Sequence, residues 1–173
     1  LNVDTNSDAF LHEVIESADI IFPWYVQRFT PLLHAEFLRY FEQVKSDKAW
    51  SDARGVDFAA LVYPGFSWYN LSSDTQKPFN PPGAIPRQAG NFYWGQLQMA
   101  IEAGAEMLYV AMFDEVDEGT SIFKIAENKN QTPTTGIFLA ADEDGYNCPG
   151  DWYLNITGHV AGLVQRGKDI PID

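Results

Sequence analysis

The chain has 173 residues, with 24 Asp and Glu against 11 Lys and Arg, a formal charge of −13 and a pI near 4.4. Hydrophobic residues make up 46% and aromatics 14%, too apolar for a disordered chain and enough for a single core. The charge argues against nucleic-acid and anionic-membrane partners, both of which are held by Lys and Arg. One cysteine, Cys148, leaves no internal disulfide, and no apolar run approaches the roughly 20 residues that cross a bilayer. The chain starts at Leu1 with no cleavable signal, so it reads as a processed protein or as a piece of a longer one.

In chain order, Ser7 and Asp8 are N-cap candidates for a helix carrying Phe10, Leu11, Val14 and Ile15 at helical spacing. Residues 18–24 read as a short buried strand ending at Pro23. A long helix follows Pro31, with Leu33, Phe37, Leu38, Phe41 and Val44 inward. Residues 57–63 form a second buried strand stopped by Pro64-Gly65. The stretch 66–86 is rich in Pro, Ser, Asn and Gly and reads as a long loop. A helix over about 90–103 stops at Gly104. Residues 106–113 make a third buried strand, ending in an acidic run. Gly136-Ile137-Phe138-Leu139 is a candidate last short strand. Asp151 opens a final helix with Trp152, Ile156, Val160, Leu163 and Val164 inward.

Continuous apolar strands alternating with helices predict an α/β fold with a parallel sheet. No Gly-rich turn follows the first strand, against a doubly wound nucleotide-binding fold, and no cofactor is expected. The strands end in aromatic or acidic clusters, as in a (β/α)8 TIM-type barrel, whose chemistry sits in the loops after the strands. Such a barrel needs about 250 residues. About four βα units fit here, so the chain reads as half of one, a single domain over 1–173.

The strongest chemical signal is Asp114, Glu115, Asp117 and Glu118, directly after a buried strand. Crowded carboxylates repel and push some of one another toward the protonated form. A protonated acid beside an ionised carboxylate is the pair that acetal cleavage uses. The alternatives are a solvated turn, a helix N-terminus or a hard-cation site, although the spacing departs from the Ca2+ loop pattern. Trp24, Trp68 and Tyr69 are candidate sugar-stacking residues, Trp68 the best placed, while Trp94 and Trp152 read as core. Arg87 is positioned to hold a substrate hydroxyl or one of the carboxylates, or to act as a structural cap. His12, His34 and His159 share no ligand spacing. Three Asn-X-Ser/Thr sequons, at Asn70, Asn130 and Asn155, point to a secreted glycoprotein.

Residues 109–120, Tyr-Val-Ala-Met-Phe-Asp-Glu-Val-Asp-Glu-Gly-Thr, carry a resemblance, together with Pro64-Gly65-Phe66-Ser67-Trp68 and Ile85-Pro86-Arg87. The chain resembles glycoside hydrolase family 99 and its relatives near family 71, most closely the xylosidase/arabinosidase-like subgroup. The resemblance runs over nearly the whole chain and covers the C-terminal half of the family's catalytic barrel. It implies that Glu115 and Glu118 occupy the two glutamates of the family 99 pattern Asn-Glu-Trp-His-Glu-Gly-Thr, completed by Gly119 and Thr120. By that resemblance Glu118 is the general acid/base, and Glu115 draws the proton from the sugar 2-hydroxyl, giving retention through an anhydro-sugar. Val116 and Asp117 replace the family's Trp-His, and Asp114 its Asn. In family 71 the first carboxylate of the pair is an aspartate, so this chain follows family 99 more closely.

The expected function is a retaining glycosidase on a neutral oligo- or polysaccharide, with Asp114 and Asp117 beside the pair in substrate binding. The alternative is a non-catalytic, lectin-like carbohydrate-binding protein. A half barrel exposes two sheet edges, so the missing N-terminal half of the same barrel, or a second copy of the chain, is the expected protein partner.

Overall fold

The computed structural model describes residues 8–31, 34–72 and 81–167. Ser7, Leu33 and residues 73–80 of the expected long loop lie outside them. Three parallel strands lie in the order β1 (Ile20–Ile21), β2 (Asp57–Val62), β3 (Met107–Val110). Around them run helices α1 (Ala9–Glu16), α2 (His34–Asp52), α3 (Tyr69–Ser72), α4 (Asn91–Glu102) and α5 (Trp152–Val164). Ile20 pairs with Asp57, and Ala59 to Val62 pair with Met107 to Val110. This is the α/β alternation expected for part of a barrel, with three strands among the described residues where about four units were expected. Gly136-Ile137-Phe138-Leu139 is not a strand. The side chain of Asn70 takes up both backbone groups of Ile137, accepting from its N–H at 3.2 Å and donating to its C=O at 2.7 Å, so the segment needs no sheet neighbour.

β2 is the centre of the core, buried at every position but Asp57. The pairing register fixes which residues share a face. Leu108 and Val110 line an apolar cavity of about 290 Å3 with Leu97 of α4 and Val160 and Val164 of α5. The alternating residues Met107 and Tyr109 therefore face the other side of the sheet with Ala59 and Leu61. There Phe22, just past β1, stacks on Tyr109 at 4.7 Å and 10°.

α2 and α4 pack together on β2. Their approach depends on Gly95, where a Cβ would sit 2.5 Å from the Phe37 ring. Tyr40, Val44 and Ser51 of α2 are fully buried, and the Tyr40 hydroxyl donates to the Leu61 carbonyl at 3.1 Å. Leu38, expected inward, is exposed. Fully buried Gln96 of α4 extends the ladder past β2: its Nε2 donates to Tyr63 O at 2.8 Å and its Oε1 accepts from Tyr63 N at 3.3 Å.

The N-terminal elements depart most from expectation. Asp8 caps α1 by accepting from Leu11 N at 3.1 Å, but α1 buries none of its residues. Ile20, Phe22 and Trp24, expected in a buried strand, are each about half exposed. Among the described residues β1 pairs with a strand on one side only, which leaves Ile20 less covered than the buried residues of β2. Trp152, expected inward, sits at the surface and donates its indole N–H to Ala89 O at 2.8 Å.

Candidate active site

All three strands are parallel, so the segments that follow them emerge at one end of the sheet. After β2 the chain runs through Pro64-Gly65 to Phe66, which pairs with Ile85 by two backbone bonds of 2.9 and 3.0 Å. After β3, Ala111 N–H continues the ladder to Val62 O at 2.9 Å, the Ala111–Met112 peptide is cis, and the acidic loop begins. That loop closes on itself. Thr120 N–H and Ser121 N–H both donate to Glu115 O, at 3.1 and 3.2 Å, and Met112 N–H donates to Thr120 O at 3.2 Å. Gly119 turns the chain at φ +65°, and a Cβ there would lie 2.9 Å from Leu139 Cδ1.

Three bonds then join the loop after β2 to the acidic loop. Ser67 N–H donates to Glu118 O at 2.6 Å. Asn70 Nδ2 donates to Asp117 O at 3.4 Å. Arg87 Nη2 donates to Gly119 O at 2.8 Å, with Ser121 Oγ at 3.5 Å. The backbone under Glu118 is therefore held on both sides by residues from another part of the chain.

Glu115 and Glu118 are both partly buried. Lost hydration, then the facing Asp117 and Asp114 carboxylates, push the Glu115 carboxyl above its ordinary range. Glu118 is raised by lost hydration first, then by repulsion from Glu115 and Asp117. A raised pKa suits a group that must hold a proton in order to give it, and makes a group that is ionised the stronger base. Asp117 is partly buried and Asp114 exposed. No group of three or more His, Cys, Asp or Glu among the described residues is placed to hold a metal ion.

Arg87 is not where a substrate would meet it. It is 4% exposed, its guanidinium lies over the Tyr153 ring of α5 at 4.5 Å, and its bonds go to the Gly119 backbone and Ser121. It touches neither Glu115 nor Glu118 by a hydrogen bond or ion pair among those of the described residues; burial lowers its pKa. Gly65 makes room for it: a Cβ there would sit 2.7 Å from Arg87 Cγ. Trp68 is partly buried against the core and stacks on Phe66 at 6.0 Å and 21°. Tyr69 opens α3, partly buried. Trp24 stands two strands away, half exposed, on the wall of a cavity of about 840 Å3. Neither that cavity nor the apolar one is lined by Glu115 or Glu118. Of the sequon residues, Asn130 and Asn155 are exposed, whereas the Asn70 amide is engaged with Asp117 and Ile137.

Sequence reasoning missed Tyr153 and gave no individual role to Gly65 or Ser67, although Pro64-Gly65-Phe66-Ser67-Trp68 is among the stretches that carry the resemblance.

No family model matches the chain, and no curated protein matches it. Among solved structures, the fold is similar to two of the GH99 endo-α-mannosidase from Bacteroides thetaiotaomicron. One, in complex with BIS-TRIS-propane, superposes with a TM-score of 0.62 at 22% identity, over 86% of this chain and 41% of that one. The other gives 0.63 at 22% identity, over 87% and 39%. The chain thus spans about two fifths of the length of these solved chains. At that identity the likeness is one of fold.

Proposed function

We propose that the chain carries the acid/base pair of a retaining glycoside hydrolase, with Glu118 as general acid/base and Glu115 as the base acting on the sugar. The observation behind this reading is the joining of two post-strand loops around Glu115 and Glu118, with both carboxyls held above their ordinary range. The fold shared with part of an endo-α-mannosidase supports it.

In this reading Glu118 gives its proton to the glycosidic oxygen as that bond to C1 breaks. Glu115, ionised, takes the proton of the 2-hydroxyl, and O2 closes on C1 to form a 1,2-anhydro-sugar. Glu118, now a carboxylate, takes a proton from water as the water oxygen attacks C1 and the C1–O2 bond opens. O2 recovers its proton from Glu115. Two displacements at C1 leave its configuration retained. Asp114 and Asp117 serve as acceptors for sugar hydroxyls and tune the pair by their charge, and Trp68 and Tyr69 offer an aromatic surface on the segment that is bonded to the acidic loop.

The half-exposed Ile20 and the one-sided pairing of β1 among the described residues suggest cover from further protein, either more of a barrel or a second copy. The exposed Asn130 and Asn155 fit glycosylation of a secreted protein. Solution mass by light scattering and intact mass spectrometry test these two points.

The decisive test of the catalytic reading is activity on α-mannan, α-glucan and aryl glycosides, with Glu115→Gln and Glu118→Gln alongside. Each variant should lose at least about a hundredfold in rate, the usual scale of one acid–base group, with an unchanged circular dichroism spectrum. Full activity in both variants would overturn the assignment.

A further inference from the structure

The larger cavity lies apart from the acidic loop, between the segment after β1 and one side of α2. At about 840 Å3 it falls within the roughly 300–1,000 Å3 of small-molecule sites. Its construction is specific. Trp24 forms one wall, half exposed. Arg28 and Arg39 bring two of the chain's five arginines to the rim. Glu42, Gln43 and Ser46 line the α2 side.

The base beneath is fixed from inside. The Tyr25 hydroxyl donates to Asp47 Oδ2, and Gln43 Nε2 donates to Asp47 Oδ1 at 2.8 Å, tying the post-strand segment to α2. Asp47 and Tyr25 are both buried. Gln27 turns the segment at φ +66°, a conformation that non-glycine residues take rarely. The wall carrying Trp24 and Arg28 therefore stands off α2 as a supported arch.

Charge then selects the ligand. In a molecule of net −13, Arg28 has no ion-pair partner among the described residues. Arg39 commits Nη1 to Glu36 at 2.5 Å and keeps its other donors. Glu42 stands 3.7 Å from Lys45, which offsets its charge. The Arg28 fork and the remaining donors of Arg39 match the paired oxygens of a carboxylate or a phosphate, and the apolar Trp24 wall favours the carboxylate of a ring-bearing ligand. The Trp24 face suits the C–H face of a saturated ring, and Gln27, Glu42 and Ser46 suit ring hydroxyls. We propose that this cavity binds a carboxylate-bearing sugar, a uronate, independently of Glu115 and Glu118.

The test is a titration of the full chain, followed by the Trp24 indole N–H resonance, with glucuronate, glucose, benzoate and inorganic phosphate at matched ionic strength. Glucuronate should shift that resonance saturably and bind at least tenfold tighter than the other three. Arg28→Gln and Arg39→Gln, both at exposed positions, should each weaken glucuronate at least tenfold with an unchanged melting temperature. Glu118→Gln should bind it as the parent chain does, which separates this site from the catalytic reading. No shift at Trp24, equal binding of glucose, tighter binding of phosphate or benzoate, or indifference to both arginine substitutions would each overturn the proposal.

Discussion

Gln96→Leu is the sharpest test of how the site is held in place. Gln96 is fully buried and serves both backbone groups of Tyr63, the residue that leads from β2 into the site loop. Leucine has a similar volume, so no large cavity opens, and Phe92 O, which also accepts from Gln96 Nε2 at 3.1 Å, keeps its place in the helix ladder. What is lost is the partner of one buried N–H and one buried C=O. Each orphaned group costs about 1–3 kcal/mol, and the two share one side chain, so the sum should fall near 2–4 kcal/mol. For a chain of this size about 1 kcal/mol moves the melting temperature by about 2–4 °C, which places the expected drop at about 4–16 °C. Urea denaturation should show the same loss with an unchanged m-value, since the surface exposed on unfolding is the same. A loss under about 1 kcal/mol, the size of an ordinary surface substitution or little more, would refute the claim that Gln96 continues the β2 ladder.

Other expectations follow from the same contacts. Glu118 has a folded pKa raised above its unfolded value, so its contribution to stability is present below the unfolded pKa and is lost as pH rises through the folded one. Glu118→Gln should accordingly melt higher than the parent chain at pH 7, and the gap should close as pH falls below about 4, the ordinary glutamate value; a gap independent of pH would contradict the raised pKa. Gly65→Ala puts a Cβ 2.7 Å from Arg87 Cγ and 2.9 Å from Ile85 O, and should cost about 1–3 kcal/mol by overpacking, read by thermal melting. Asn70→Ala should speed amide exchange at Ile137 at least tenfold, because that N–H loses its partner, while amides of β2 stay protected; an unchanged Ile137 rate would remove Asn70 as the anchor of that segment.

Much of the centre of the fold was legible in the sequence, for a physical reason. β2 is buried on both faces, so its composition is continuously apolar and its limits are set by Pro64-Gly65. The same apolar signal misled at β1 and at 136–139. An apolar run states that a segment tolerates burial, and burial is decided by neighbours that lie elsewhere in the chain. Ile20 and Phe22 lack such neighbours on one side, and Ile137 finds its backbone partners in a side chain 67 residues away. The acidic cluster could be found because four carboxylates in five positions are conspicuous. Arg87 could be singled out but not placed: its destination depends on Gly65 vacating space and on Tyr153 arriving from α5, neither of which is local to Ile85-Pro86-Arg87. Trp152 read as core by its spacing, while its indole N–H drew it to the surface carbonyl of Ala89.

The pairing of the Phe22 and Tyr109 rings has a mechanical consequence. It clasps the first and third strands to each other directly, passing over the second. The shortest strand of the sheet, with no second strand beside it among the described residues, is thereby coupled to the very strand from which Asp114 to Glu118 hang, only five residues downstream of Tyr109. Whatever comes to rest against that flank would press on the root of the acidic loop through one pair of rings, leaving the backbone of the middle strand undisturbed.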